Sequence, residues 1–525
     1  MSRDRNLLVA MAALLLSSLV GLALRPLLPI DETRYLAVAW EMHLSGDWLV
    51  PTKNFALYSD KPPLLFWAIN LIWMLTGVSE FAARMVGPLS GCVALWLTSV
   101  LGRRLWPDMP GIGGRAALAL TGLVVFALSA SLTMFDVPLT VFTLAGLIAL
   151  SDAGQPEAGR RPWVLFGAAI AFGVLTKGPV ILFHLLPAAI LLPWWGAAPL
   201  PWRRVASGIG LGLLVAIGLL ALWLVPAAIF GGAEYREAIF WHQSAGRLAT
   251  SFAHAKPWWF YLALFPVLAF PLFWGAVPWR SWKARGDRGL RLCLIWFSGA
   301  LILFSLTSGK QIHYLVPELP ALALLAARVA PSGPNRTPLP AVAVLAVAAL
   351  AVSLVGLGVI DPGRIAPLLK PAGMLLAWSL LIVIICLLAI RRRGLPGAAI
   401  LSLGSLTATN LLIGATLLSS SYSSHPIAER IAAAAYRGSV AVWGGTYHAQ
   451  FNFAGRLTSP VAPLASDVEL EAWLAGHPQG LLIGPTDELR MNWTPQEIVN
   501  FRNQDWAIWA ISDAPPVPKR EPPNE

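Results

Sequence analysis

The sequence predicts a polytopic α-helical membrane protein that ends in a small α/β domain. The first observation behind this is composition: apolar types make up 57% of the 525 residues and charged types only 12%. That charged fraction is roughly half that of a soluble domain, so the surplus apolar surface needs a bilayer as its solvent. The second is that apolar runs long enough to cross a membrane recur from Leu7 to Leu418. The third is a change of composition at Ser419-Ser420-Ser421, beyond which the chain is polar.

Taken in order, the run Leu7–Leu24 follows Arg3 and Arg5 and has no small-residue cleavage site, so it reads as an uncleaved first span with its N-terminus inside. The run Leu64–Leu75 is short and follows Pro62-Pro63, which fits a helix lying in the membrane interface. The next spans are Phe81–Leu101, Ile112–Leu132, Val137–Leu150, Trp163–Leu175, Val180–Trp195, Val205–Phe230 and Trp258–Val277. Leu290–Leu306, Ile312–Ala327, Ala341–Ile360, Ala372–Ile390 and Leu395–Leu418 follow, for a total of about thirteen spans. Trp163–Leu175 and Val180–Trp195 are short enough to form one re-entrant pair around Lys177. In the tail, Gly438–Trp443, Gly480–Ile483 and Trp506–Ile511 have strand character, Asp467–Leu474 is helical, and a Pro-rich disordered end starts at Pro515.

The net charge of +11 would suggest a polyanion partner in a soluble protein. With the spans above, Arg103, Arg104, Arg160, Arg161, Arg203, Arg204, Arg280, Lys283, Arg328 and Arg391–Arg393 all fall on the inner side, with few acids among them. The excess is therefore the positive-inside signature, and nucleic acid is excluded as a partner. Cys92, Cys293 and Cys386 lie inside apolar runs and read as buried thiols, not as a disulfide framework. No metal-ligand spacing and no nucleotide-binding motif occurs, so neither a metal nor a cofactor is expected.

Ionisable groups at the membrane edge are costly, and those on the outer side are the functional candidates. They are Asp31, Glu32 and Arg34, then Asp60-Lys61, Asp136, Lys177, the loop with His242 and Arg247, and Lys310 with His313-Tyr314. Each has a simpler reading. Asp31 and Asp136 could be helix N-caps, the latter with Pro138 in the first turn. Lys61, Lys177 and Lys310 could be snorkelling lysines, and His313-Tyr314 an aromatic-belt pair. As a group they imply more: several cations facing one cavity suit a phosphate, and a carboxylate beside them suits a general base or a stabiliser of charge developing on a sugar ring. An apolar groove between spans would take a lipid tail.

The same residues carry a resemblance. Asp31-Glu32-Thr33-Arg34-Tyr35, Ser45–Pro51, Lys61-Pro62-Pro63 and Glu80–Arg84 resemble the first outer loop of the GT-C glycosyltransferases of the aminoarabinose (lipid A) transferase and protein O-mannosyltransferase-like group. Asp136-Val137-Pro138, Leu175–Pro179 and Lys310 with Tyr314 support it. The resemblance implies a GT-C transmembrane catalytic domain over 1–418 with a first periplasmic loop at 29–80, a periplasmic α/β domain over 419–514, and a tail at 515–525. It implies a bacterial inner-membrane enzyme that moves a sugar from a polyprenyl (undecaprenyl) phosphate donor to lipid A, or to a lipid or glycan acceptor of the envelope, on the periplasmic face. Asp31 resembles the catalytic acid of the first loop and Asp136 the second acidic residue. Lys61 and Tyr314 resemble donor-phosphate ligands, with Arg247 and Lys310 as further ones; Arg34, Glu32, Lys177 and His242 are further candidate substrate-binding residues. Where the aminoarabinose transferases have an aromatic residue and Glu before Lys-Pro-Pro, this chain has Ser59-Asp60. A polyprenyl-linked sugar flippase, or a transferase acting on protein or polysaccharide, is the competing expectation.

Overall fold

A computed structural model describes residues 5–239, 255–283, 286–330, 338–435, 439–489 and 491–513. The chain divides into two compact units. One is Met1–Leu24, Trp48–Val50 and Tyr58–Thr416; the other is Arg25–Asp47, Pro51–Leu57 and Leu417–Glu525. The first loop is thus shared between the two.

The larger unit is a helical bundle. Among the described residues nine helices are long and apolar enough to cross a membrane: Arg5–Leu24, Glu80–Leu105, Asp136–Ala153, Trp202–Phe230, Arg288–Leu306, Ile312–Val329, Leu339–Gly356, Gly373–Arg392 and Gly394–Ala415. A tenth forms if Ile112–Thr121 and Val124–Ala130, bent by 80°, are one span. The sequence reading expected about thirteen. The other three stretches are helical but short: Arg161–Lys177 has 17 residues, Ile181–Ile190 carries Pro187 and restarts at Leu192–Trp195, and Phe260–Leu268 carries Pro266 and is followed by separate turns at Leu272–Trp274 and Val277–Lys283. Proline removes a backbone donor and blocks the preceding turn, so apolar runs that read as continuous are broken. Leu64–Thr76 is a 13-residue helix, too short to span.

The 80° bend shows how broken backbone is tolerated in an apolar setting. Leu123 is extended, which frees the Gly122 carbonyl and the Val124 N–H. Ser402 donates its hydroxyl to the former at 2.8 Å, and Val124 donates to the Phe270 carbonyl at 3.3 Å. Neighbouring segments therefore replace the lost helical bonds, as they must where water is absent. Close helix approach is set by small residues: a Cβ on Gly167 would meet the Gly212 carbonyl oxygen at 2.3 Å.

Charge pairs mark the bundle's two ends. At one, Arg104 forms a two-point bond with Asp152 (2.7 and 3.2 Å), Arg328 bonds Asp287 at 3.0 Å, and the Trp106 indole donates to Asp287 at 2.8 Å. Asp136 opens the 18-residue helix that ends just past Asp152, so it lies about 24 Å from Asp152, at the opposite end.

The smaller unit holds a five-stranded sheet. Its strands are β3 (Val440–Trp443), β4 (Ala462–Leu464), β5 (Leu481–Pro485), β6 (Glu497–Phe501) and β7 (Gln504–Ala510), in the order β4-β3-β5-β7-β6. A two-stranded hairpin, β1 (Thr52–Lys53) with β2 (Ala56–Leu57), stands apart from it. β3 runs parallel to β4 and β5, while β7 is antiparallel to β5 and β6. Period-two alternation builds two cores. Val440, Val442, Leu481, Ile483 and Ile508 face Ile427, Ile431 and Phe451, whereas Ala441, Leu482, Ala507 and Trp509 face Leu470 and Trp473. Arg502 and Asn503, both at positive φ, make the tight turn between β6 and β7.

Candidate active site

In the helical unit the centre is Asp136. The cap reading does not hold: Phe135 is the N-cap and makes no side-chain cap bond. The Asp136 carboxylate, 2% exposed, instead takes the Lys177 ammonium at 2.5 Å. Lys177 is the last residue of Arg161–Lys177, and its Nζ also lies 4.7 Å from the centroid of the Tyr314 ring. His313 and Lys61 act on Asp136 electrostatically as well, and Lys61 Nζ sits 5.8 Å from the Phe135 ring centroid. Lys61, Asp136, Lys177, His313 and Tyr314 are therefore gathered from four separate segments. The cluster holds one carboxylate among several basic groups, a composition suited to an anion with more than one charge.

Lys310 has a different environment. It is 3% exposed and its ammonium donates to the Lys256 carbonyl at 3.0 Å and to the Thr307 carbonyl. With the Lys256 N–H on the Ser308 carbonyl at 3.2 Å, it closes the turn before Gln311. His242 and Arg247 lie outside the described residues.

In the smaller unit Asp31 opens the helix Asp31–Ser45, and its N-cap is Ile30, again without a side-chain cap bond. The half-exposed Asp31 carboxylate accepts from the Arg34 guanidinium and from the Tyr35 hydroxyl at 3.2 Å. Arg34 also lies over the Tyr35 ring, 5.3 Å from its centroid. Glu32 is buried and its carboxylate accepts from the Leu28 N–H at 3.0 Å, which ties the helix to the chain before it.

Two groupings escaped the sequence reading. Buried Glu41 accepts from the N–H groups of Asn54 (2.7 Å) and Phe55 (2.8 Å), which hold positive φ in the β1–β2 turn, and from the Asn452 amide at 3.3 Å. Burial pushes its carboxyl above the ordinary range, and the bonds from Phe55, Thr52, Asn54 and Asn452 pull it back in part. The second grouping is His184 with Glu318, both wholly buried and 2.5 Å apart. A lone ionisable residue inside each of two apolar runs was the available signal. Among the described residues no three His, Cys, Asp or Glu side chains stand together in a way that could hold a metal ion.

Residues 60–229 match the dolichyl-phosphate-mannose-protein mannosyltransferase family. The chain is 33% identical over 312 residues to the undecaprenyl phosphate-alpha-4-amino-4-deoxy-L-arabinose arabinosyl transferase 1 of Pseudomonas fluorescens (strain Pf0-1), which covers 56% of this chain and 52% of that one. It is 32% identical over 335 residues to the corresponding transferase of Pseudomonas aeruginosa (strain UCBPP-PA14), covering 62% and 59%. The match thus spans a little over half the length of these curated relatives. The crystal structure of ArnT from Cupriavidus metallidurans bound to undecaprenyl phosphate superposes with a TM-score of 0.72 over 97% of this chain and 99% of that one, at 22% identity. The fold is that of this ArnT structure, and over a little more than half of its length the chain is similar in sequence to undecaprenyl phosphate aminoarabinose transferases.

Proposed function

We propose that this chain is a glycosyltransferase that moves a sugar from an undecaprenyl phosphate donor to lipid A or a related envelope glycan. The observation that carries the reading is the Lys61, Asp136, Lys177, His313 and Tyr314 cluster at one end of the bundle. The relatives named for undecaprenyl phosphate aminoarabinose transfer support it. When the glycosidic bond breaks, negative charge collects on the departing phosphate. Lys61 and the Tyr314 hydroxyl hold that charge, and Asp136 keeps Lys177 oriented beside them. Donors fixed in an apolar setting stabilise such a charge more than mobile water does, because they need not reorganise. Asp31, aligned by Arg34 and Tyr35, is the general base if the acceptor is a hydroxyl. If the acceptor is a phosphate it carries no proton to remove, and Asp31 stabilises the sugar cation.

The enzyme sits in the bacterial inner membrane, with the N-terminus cytoplasmic and the Asp136 end and the residues after Leu417 in the periplasm. The basic residues of the opposite end, Arg104 and Arg328, support that orientation. The test is mass spectrometry of lipid A and surface glycans in cells with and without the gene, complemented by wild type, Asp31→Asn or Lys61→Ala. A modification that depends on the gene and is lost in both variants, with the protein still inserted, is expected. Full activity in either variant overturns the residue assignment. Movement of lipid-linked sugar across liposomes without transfer overturns the reaction.

A further inference from the structure

The buried His184–Glu318 pair has no part in the chemistry above, yet its position in the bundle is specific. His184 lies on Ile181–Ile190, seven residues after Lys177, and Glu318 closes the short 3-10 helix Ile312–Glu318, four residues after Tyr314. Two contacts therefore tie the turn Ile312–Glu318 to consecutive helices: Lys177, at the end of Arg161–Lys177, to Tyr314, with Nζ 4.7 Å from the ring centroid, and His184, on Ile181–Ile190, to Glu318 at 2.5 Å. Between them stands Phe304, whose ring centroid is 5.3 Å from that of His184 and 5.8 Å from that of Tyr314. Tyr261 packs on Phe304 at 6.4 Å and donates its hydroxyl to the Gln311 carbonyl at 3.1 Å, at the start of the same turn.

A 3-10 turn interrupted by Pro317 has little regular hydrogen bonding of its own to fix its rotation. Its setting must come from its neighbours. Two ionisable side chains taken wholly out of water are retained at a desolvation cost, so a bland packing role is better served by apolar groups.

We infer that His184 and Glu318 form a positioning brace that sets the Ile312–Glu318 turn, and with it the Tyr314 hydroxyl, toward Lys177 and the donor phosphate. The phosphate part rests on the function proposed above; the brace itself does not. Neither residue touches the substrate, and both act through Tyr314.

The experiment uses the full chain in lipid nanodiscs with undecaprenyl phosphate as the probe. The paired variant His184→Leu with Glu318→Met removes both ionisable groups and strands neither, and Glu318→Gln keeps an acceptor for the imidazole. Hydrogen exchange at the amides of residues 312–316 and 318 should speed up about tenfold or more in the paired variant and stay close to wild type in Glu318→Gln. Unchanged exchange in the paired variant overturns the brace. Affinity for undecaprenyl phosphate should fall about tenfold in Tyr314→Phe and about tenfold in the paired variant, with little further loss when the two are combined. Additive losses overturn action through Tyr314. Wild-type affinity in Tyr314→Phe removes the donor-phosphate reading of that residue, while the exchange result still decides the brace.

Discussion

The Lys177 ammonium and the Asp136 carboxylate lie 2.5 Å apart at the end of the helical unit opposite Arg104 and Asp152, with side chains only 10% and 3% exposed. A pair this buried is fixed by each partner's need for the other, and the penalty for stranding one exceeds the net value of the pair. Lys177→Met should cost about 3 kcal/mol through the uncompensated carboxylate. Adding Asp136→Asn should recover most of it, read as thermal unfolding of the detergent-solubilised protein. A double-variant loss equal to the sum of the two single losses would mean that the two groups are not coupled.

Glu41 gives the smaller unit a pH dependence of defined sign. Its carboxyl is raised from an ordinary value of 4.5, chiefly by burial. The folded protein thus holds the proton more tightly than the unfolded chain. The contribution is complete below 4.5 and is lost as pH rises through the folded value. Thermal stability, or exchange at residues 52–57, should decline over that window in wild type and lose this slope in Glu41→Gln.

His448 acts in the opposite direction. Burial first, then the charges of Arg34 and Lys53, hold its imidazole below the ordinary 6.5. The unfolded chain takes up the proton first, so stability is complete above 6.5 and is lost as pH falls through the folded value. Replacement by Gln should flatten the profile just below 6.5. A wild-type profile already flat there would show that the imidazole is not held neutral.

Gly167 and Gly210 test the close approach of the helices. A Cβ at Gly167 would meet backbone oxygen at 2.3 Å, whereas at Gly210 nothing lies within 4 Å. Gly167→Ala should destabilise by about 1–3 kcal/mol, and Gly210→Ala should be neutral or stabilising by up to about 1 kcal/mol. Denaturant or thermal unfolding of the two single variants, side by side, measures the difference.

Much of the candidate site was legible one residue at a time. Asp136, Lys177 and Tyr314 each stood out because a polar group at the edge of an apolar run requires a reason. Their association was not legible: Asp136 and Lys177 are 41 positions apart and His184 and Glu318 are 134 apart, distances at which only packing selects a partner. Local pattern also misled where it was strongest. Both Asp31 and Asp136 have the sequence setting of an N-cap, yet each starts one residue inside its helix and spends its carboxylate on a tertiary or side-chain partner. Lys310 carried the right charge in the right loop, but its ammonium is engaged by backbone carbonyls.

The sequence by itself determined where the apolar helices run, that Leu64–Thr76 is too short to cross, and that strands recur after the last span near 440, 481 and 506. Those properties follow from hydrophobic period and length, which are local and additive. Tertiary structure alone decided that Ser402 and Phe270 complete the bent helix at Gly122 and Val124, and that Arg25–Asp47 belongs to the same compact unit as the C-terminal sheet. It also decided which buried charges meet. A backbone group or a charge removed from water must find its complement wherever the fold brings one, and that place is set by contacts distant in sequence.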